Sequence, residues 1–217
     1  EKGLSDYDVV INAGFAGSAW SGGVRWQDDE VGAAMTEWVY NGGVFPGVNE
    51  PSACPGYDKT FRMSHVLGVD ENTGARICHG VYEFEAEGSD AICEGTELKA
   101  KDNIYIADAE TRVLAADGKN PVITVRDFGK GKGIYMSSFK HGEINNRTLL
   151  NLILSACGDT DGEYLTDNPY TECCYYPEGK VLVVINNSDA EQTTSVKTEA
   201  GEKTVTLGAF DTEIIKL

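Results

Sequence analysis

The chain has 217 residues, 41% hydrophobic and 24% charged, enough apolar material for a packed core in one large domain or in a medium and a small one. Lys and Arg number 18 against 35 Asp and Glu, a net charge of -17, divided as 14 against 23 up to Gly158 and 4 against 12 beyond it. No segment forms a basic stripe, which argues against nucleic acid or an anionic membrane surface as partner, and no run approaches the ~20 apolar residues of a membrane span.

The chain starts at Glu1 and enters an apolar run by Val9, so either a leader has been removed or the sequence is a piece of a longer protein. Cysteines at 54, 78, 93, 157, 173 and 174 show no Cys-x-x-Cys spacing. Reduced, mostly buried cysteines and a cytoplasmic location are therefore expected, and neither a metal nor a cofactor. Adjacent Cys173 and Cys174 would face opposite sides of a strand, which opposes a bond between them.

In chain order, Val9 to Ala13 reads as a central strand of a parallel sheet. The glycine-rich loop from Gly14 to Gly23 lacks the dinucleotide and phosphate-loop spacings. Asp28-Asp29-Glu30 opens a helix whose Val31, Ala34, Met35, Trp38 and Val39 share one face, and Asn41-Gly42-Gly43 ends it. Val44 to Val48 follows as a second strand, completing a βαβ unit. It ends in Asn49-Glu50-Pro51, and the crevice beyond such a strand end is where open α/β sheets bind ligands. Glu50 faces a ligand there or caps the following helix.

Tyr57 to Leu67 predicts a helix, with His65 as a satisfied structural histidine rather than a metal ligand. Arg76 to Phe84, which contains His79, Asn103 to Ala107 and Val113-Leu114 predict strands, with Glu85 to Lys101 a polar connection. Pro121 to Phe128 and Gly133 to Phe139 flank Gly129-Lys-Gly-Lys132 as a β-hairpin. A substantially buried helix is expected from about Asn145 to Cys157, stopped by Gly158. The acidic stretch from Asp159 to Asp167 is the best domain boundary, giving domains 1–160 and 161–217. Beyond it about five short strands and no helical pattern predict a small antiparallel sandwich or half-barrel.

His141-Gly142-Glu143, after the hairpin, resembles the His-Pro-Glu of class I glutamine amidotransferases, and their nucleophile elbow maps to Gly47-Val48-Asn49-Glu50. No cysteine is there, and Cys54 lies past Pro51, so a cysteine hydrolase using Cys54, His141 and Glu143 is the minor reading. Glu50 and Glu143 as paired carboxylates for sugar chemistry have no motif behind them. A sugar-binding module stacking on Trp20, Trp26 and Tyr57 is a third reading.

The runs VVINAGFAGSAWSGG, TEWVYNGGVFPGVNEPSA, FRMSHVLGVD and DFGKGKGIYMSSF, with the terminal VLVVINNSDAEQTT and LGAFDTEIIKL, resemble the 1,3-β-galactosyl-N-acetylhexosamine and galactosyl-rhamnose phosphorylases over nearly the whole chain. The resemblance implies an α/β fold with a mostly parallel open sheet flanked by helices, class I glutamine amidotransferase-like, followed by a small antiparallel β domain. It also implies that an N-terminal (β/α)₈ barrel of the same polypeptide carries the catalytic acid and acts on galactoside and inorganic phosphate. A homodimer is expected as the assembly. This chain has no eight-fold βα pattern, so no catalytic residue is assigned to it. Asn49, Glu50, Trp20, His141 and Glu143 are the expected substrate-binding residues.

Overall fold

The structure is a computed structural model that describes residues 3–54, 60–74, 82–159 and 161–217. Contacts divide the chain into two compact units, 1–141 with 148–158, and 142–147 with 159–217.

In the first unit β1 (Asn12–Gly14) leads through the glycine loop to α1 (Asp29–Tyr40) and β2 (Val44–Asn49). The Asp28 side chain accepts the Glu30 N–H at 2.9 Å and so caps α1, and Met35 and Val39 are its buried positions. α2 (Ser64–Leu67), β3 (Val69–Glu71), β4 (Ile104–Ile106), β5 (Arg112–Asp117), β6 (Asn120–Phe128) and β7 (Gly131–Met136) follow, and then α3 (Glu143–Cys157), of which residues 148–157 belong to this unit and 143–147 to the second.

The main sheet has the order β1-β2-β7-β6-β5. β1–β2 and β2–β7 are parallel, as a βαβ unit requires, whereas β7–β6 and β6–β5 are antiparallel because a tight hairpin joins β6 to β7. The expectation of a mostly parallel sheet thus holds for one half, and the whole is a mixed sheet. Phe45 and Tyr135 pack with Met35, Val39, Val66 and Leu67 on one face. Val44, Val48, Ile134 and Met136 pack with Leu152 of α3 on the other. The strand period of two thus sends neighbouring residues into two helix-covered layers.

Several expectations need correction. The run from Val9 to Ala13 is an edge, not a central strand: Val9 bridges Val44, but Ile11 is exposed and pairing is continuous only over Asn12–Gly14. Of the helix expected over Tyr57 to Leu67 only Ser64–Leu67 is helical, and residues 57–59 lie outside the described ones. The strand expected over Arg76 to Phe84, with His79, lies mostly outside them too. α3 is less enveloped than expected, since Leu152 is buried but Leu150 is exposed.

The second unit contains β8 (Thr171–Tyr176), β9 (Val181–Asn186), β10 (Gln192–Thr198), β11 (Gly201–Leu207) and β12 (Thr212–Lys216), the five strands expected. They form a three-stranded sheet β12-β9-β8 and the hairpin β10–β11, all antiparallel. Leu182, Val184, Val196 and Leu207 fill the core between them. Cys173 packs against that core and Cys174 is exposed, the alternation that strand geometry dictates.

Candidate functional site

The strand-to-turn junction at the end of β2 is conformationally unusual. Asn49 and Ser52 have φ of 67° and 52°, values that non-glycine residues rarely adopt. Gly47 makes the turn possible, because a Cβ there would lie 2.6 Å from the Pro51 ring. Buried Ser52 holds the reversal: its N–H donates to Asn12 Oδ1, and its hydroxyl accepts the Met63 N–H at 3.0 Å. The Tyr135 hydroxyl lies 3.4 Å from the Asn49 carbonyl, and burial, with Glu71 and Glu50 nearby, pushes its pKa far up, so it stays a neutral donor.

Glu50 bonds in three directions from this turn. Its backbone N–H donates to the Gly14 carbonyl at 3.0 Å. One carboxylate oxygen accepts the Ala16 N–H at 2.7 Å, and the other pairs with Lys101 Nζ at 3.1 Å. Lys101 in turn lies 5.6 Å from the centre of the Phe15 ring. The carboxylate therefore fastens the glycine loop to the strand end. Ser21 and Trp26 secure the loop's far side, since the Ser21 carbonyl accepts from Asn12 Nδ2 at 3.1 Å and from the Trp26 indole.

Glu50 also borders a cleft of about 590 Å³ whose lining includes Glu71, Lys101, Asp102, Asn103, Asp117 and Asn120. Asn103 Nδ2 donates to Glu71 at 2.8 Å, while burial outweighs that bond and raises the Glu71 carboxyl above its ordinary value. Four carboxyl groups against one ammonium repel a phosphate dianion, and their hydrogen-bonding capacity suits a neutral polyhydroxylated ligand.

The structure brings Asn49 and Glu50 together at the turn, and Glu50 holds the loop that carries Trp20. Trp20 is 83% exposed and Phe15, which the sequence did not single out, 63%. Trp26 is buried edge-on against Phe45 at 6.2 Å, so it cannot stack on a sugar as the third reading required. Tyr57 lies outside the described residues. His141 and Glu143 are exposed, neither lines the cleft, and Glu143 and Glu50 fall in different compact units. Lys101, Glu71 and Asn103 were not foreseen, because their only sequence signal is one lysine in a polar connection.

Cys54 is buried, with its N–H donating to the Thr60 carbonyl at 2.7 Å; burial raises its thiol pKa, against a smaller pull from Arg62. A thiol so placed is held protonated, the reverse of an activated nucleophile. Of the five described cysteines none is in a disulfide, and only Cys54 is buried, which corrects the expectation of mostly buried thiols. His65 is satisfied as expected: Nε2 lies 3.0 Å from the Thr36 hydroxyl, and its ring meets Phe128 edge-on. Among the described residues no cluster of metal-ligating side chains occurs, and no helix is long and apolar enough to cross a membrane.

Residues 1–161 match the family model of the lacto-N-biose phosphorylase central domain, and residues 164–215 match that of the C-terminal domain. The chain belongs to the lacto-N-biose phosphorylase family. It is 48% identical over 99% of its length to a D-galactosyl-β-1→4-L-rhamnose phosphorylase of Lachnoclostridium phytofermentans. It is 28% identical over 88% of its length to a 1,3-β-galactosyl-N-acetylhexosamine phosphorylase of Bifidobacterium longum. The chain spans 30% and 31% of those relatives. Among solved structures, a β-galactosidase of Halorubrum lacusprofundi matches 99% of this chain and 32% of its own at a TM-score of 0.56 and 12% identity. A GH42 β-galactosidase, Gan42B, matches 97% of this chain and 32% of its own at a TM-score of 0.54 and 14% identity. At these identities the likeness concerns the fold.

Proposed function

We propose that this chain is the non-catalytic central and C-terminal portion of a cytoplasmic, inverting β-galactoside phosphorylase. In this reading an N-terminal (β/α)₈ barrel of the same polypeptide carries the catalytic acid and binds galactoside and phosphate, releasing galactose 1-phosphate. The observation that carries the reading is a family match over nearly the whole chain by a sequence that spans about 30% of its relatives. The 48% identity to a galactosyl-rhamnose phosphorylase favours a β-galactosyl-rhamnose substrate over a β-galactosyl-hexosamine. The domain division is proposed near residue 160, and the active assembly as a homodimer.

The α/β unit is proposed to be an amidotransferase-like scaffold without its nucleophile. Asn49, with φ 67° at the end of β2, stands at the elbow position where such hydrolases place a strained nucleophile. An amide there cannot attack a carbonyl, so the elbow's remaining role is to aim Glu50 at the loop bearing Phe15 and Trp20. Through that loop the unit shapes the barrel's active site, which makes Glu50 a positioning residue.

The test is phosphorolysis of β-galactosyl-1,4-rhamnose with inorganic phosphate. A polypeptide of the relatives' full length should release galactose 1-phosphate, and the 217-residue chain alone should release none; turnover by this chain alone overturns the reading. In the full-length enzyme Glu50→Gln should raise KM more than it lowers kcat. A loss of kcat as large as that from removing a catalytic acid would refute the positioning role.

A further inference from the structure

One stripe of α1 sets an aromatic ring among polar groups. Ala34, Glu37, Trp38 and Asn41 stand at i, i+3, i+4 and i+7, on one side of the helix. They meet residues 4–8 across a cleft of about 630 Å³, which Tyr7 and Asp8 also line and whose size falls within the ~300–1,000 Å³ of small-molecule sites. The cleft lies at the amino end of β2, opposite the end that carries Glu50. Its walls are fixed. Trp38 Nε1–H donates to the Tyr7 carbonyl at 3.2 Å, and Gly43 lies under the indole, where a Cβ would be 2.4 Å from the ring. The facing segment is pinned by Leu4, packed against the core, and by the Asp8 carbonyl, which accepts the Val44 N–H at 2.9 Å.

We propose that this cleft binds a neutral pyranoside. In the cleft beside Glu50 the polar groups are spent on one another, Glu50 on Lys101 and Glu71 on Asn103. Here the side chains of Tyr7, Asp8, Glu37 and Asn41 make no hydrogen bond among the described residues, so their capacity is open to a ligand. A pyranose ring has a face of C–H groups that packs on aromatic surface, here Trp38 and the exposed ring of Tyr7, and hydroxyls round its edge that each donate and accept. The Asp8 and Glu37 carboxylates accept, while the Tyr7 hydroxyl and the Asn41 amide both donate and accept, which meets both halves of that bonding. Among the described residues no basic side chain lines the cleft, so its two carboxylates repel a sugar phosphate. An organic cation would satisfy the carboxylates and the rings but would offer the Tyr7 and Asn41 donors nothing to bond. The choice of a pyranoside among neutral polyols rests on the phosphorylase reading.

The 217-residue chain labelled with 5-fluorotryptophan gives separate fluorine signals for Trp20, Trp26 and Trp38. Titration with methyl β-D-galactopyranoside should shift the Trp38 signal along a saturable curve. A ligand of about 13 non-hydrogen atoms at ordinary efficiency reaches a Kd of about 1 mM, so the titration runs to about 50 mM. Tyr7→Ala, and the double change Asp8→Ala with Glu37→Ala, should each weaken binding about fivefold or more, and galactose 1-phosphate should bind the wild-type chain about tenfold more weakly than the methyl galactoside. All three substituted side chains are exposed, and circular dichroism checks that each variant is folded. A Trp38 signal that does not move, a shift at Trp20 in its place, or a shift that ignores the variants overturns the site. Tighter binding of tetramethylammonium than of the galactoside overturns the ligand class. Phosphorolysis by the longer polypeptide is measured separately. An active enzyme whose Trp38 ignores the sugar therefore removes this site alone, and an inactive one whose Trp38 responds removes the phosphorylase reading alone.

Discussion

Removing the Glu50 carboxylate tests whether it fastens the glycine loop to the end of β2. Glu50→Ala deletes the charge-assisted bond to the Ala16 N–H at 2.7 Å, of a type that contributes about 1.5–3 kcal/mol. It also strips Lys101 of its carboxylate at a position where both side chains are only 19% exposed. That pair is screened less than a surface one and adds about 1 kcal/mol. The total, about 3 kcal/mol, corresponds to a fall of roughly 6–12 °C in Tm for a unit of this size. Trp20, Trp26 and Trp38, the three tryptophans of the chain, all lie in the first compact unit, so tryptophan fluorescence during thermal and urea unfolding reports that unit alone. Glu50→Gln keeps an acceptor for Ala16 and should cost about 1 kcal/mol. A cycle with Lys101→Met should give a coupling of about 1 kcal/mol. A Tm change under about 2 °C for Glu50→Ala, or a coupling near zero, would refute the latch.

Two further predictions concern the same unit. Burial raises the folded-state pKa of Glu71 above the value of 4.5 expected when unfolded, so the native state binds the extra proton and Glu71 favours folding below about pH 4.5. That contribution is lost as pH rises through the folded pKa, so Glu71→Gln should be more stable than wild type at pH 7 and similar to it at pH 4. Urea midpoints at the two pH values decide this, and a Glu71→Gln less stable at pH 7 than at pH 4, relative to wild type, would contradict it. Gly133→Ala would set a methyl group 2.2 Å from the Val66 carbonyl oxygen, a backbone atom that cannot step aside. It should cost about 2–4 kcal/mol by urea unfolding; a change within about 0.5 kcal/mol would show that the approach of α2 to β7 is slack.

Sequence by itself determined what local physics controls. The acidic start of α1, its apolar period, the β6–β7 turn and the alternation of the five C-terminal strands were legible because each is set by residues a few positions apart. Family membership was legible for a related reason, since it rests on strings of neighbouring residues. Only the tertiary structure decided what depends on long-range pairing. β1 lies at an edge because β7, 80 or more residues downstream, takes the far side of β2. Buried apolar runs read alike whether a strand is central or at an edge. Glu50 was picked out in the sequence as a ligand contact or a cap, but its partners are a backbone N–H 34 residues before it and a lysine 51 residues after it. No spacing in the sequence carries that geometry.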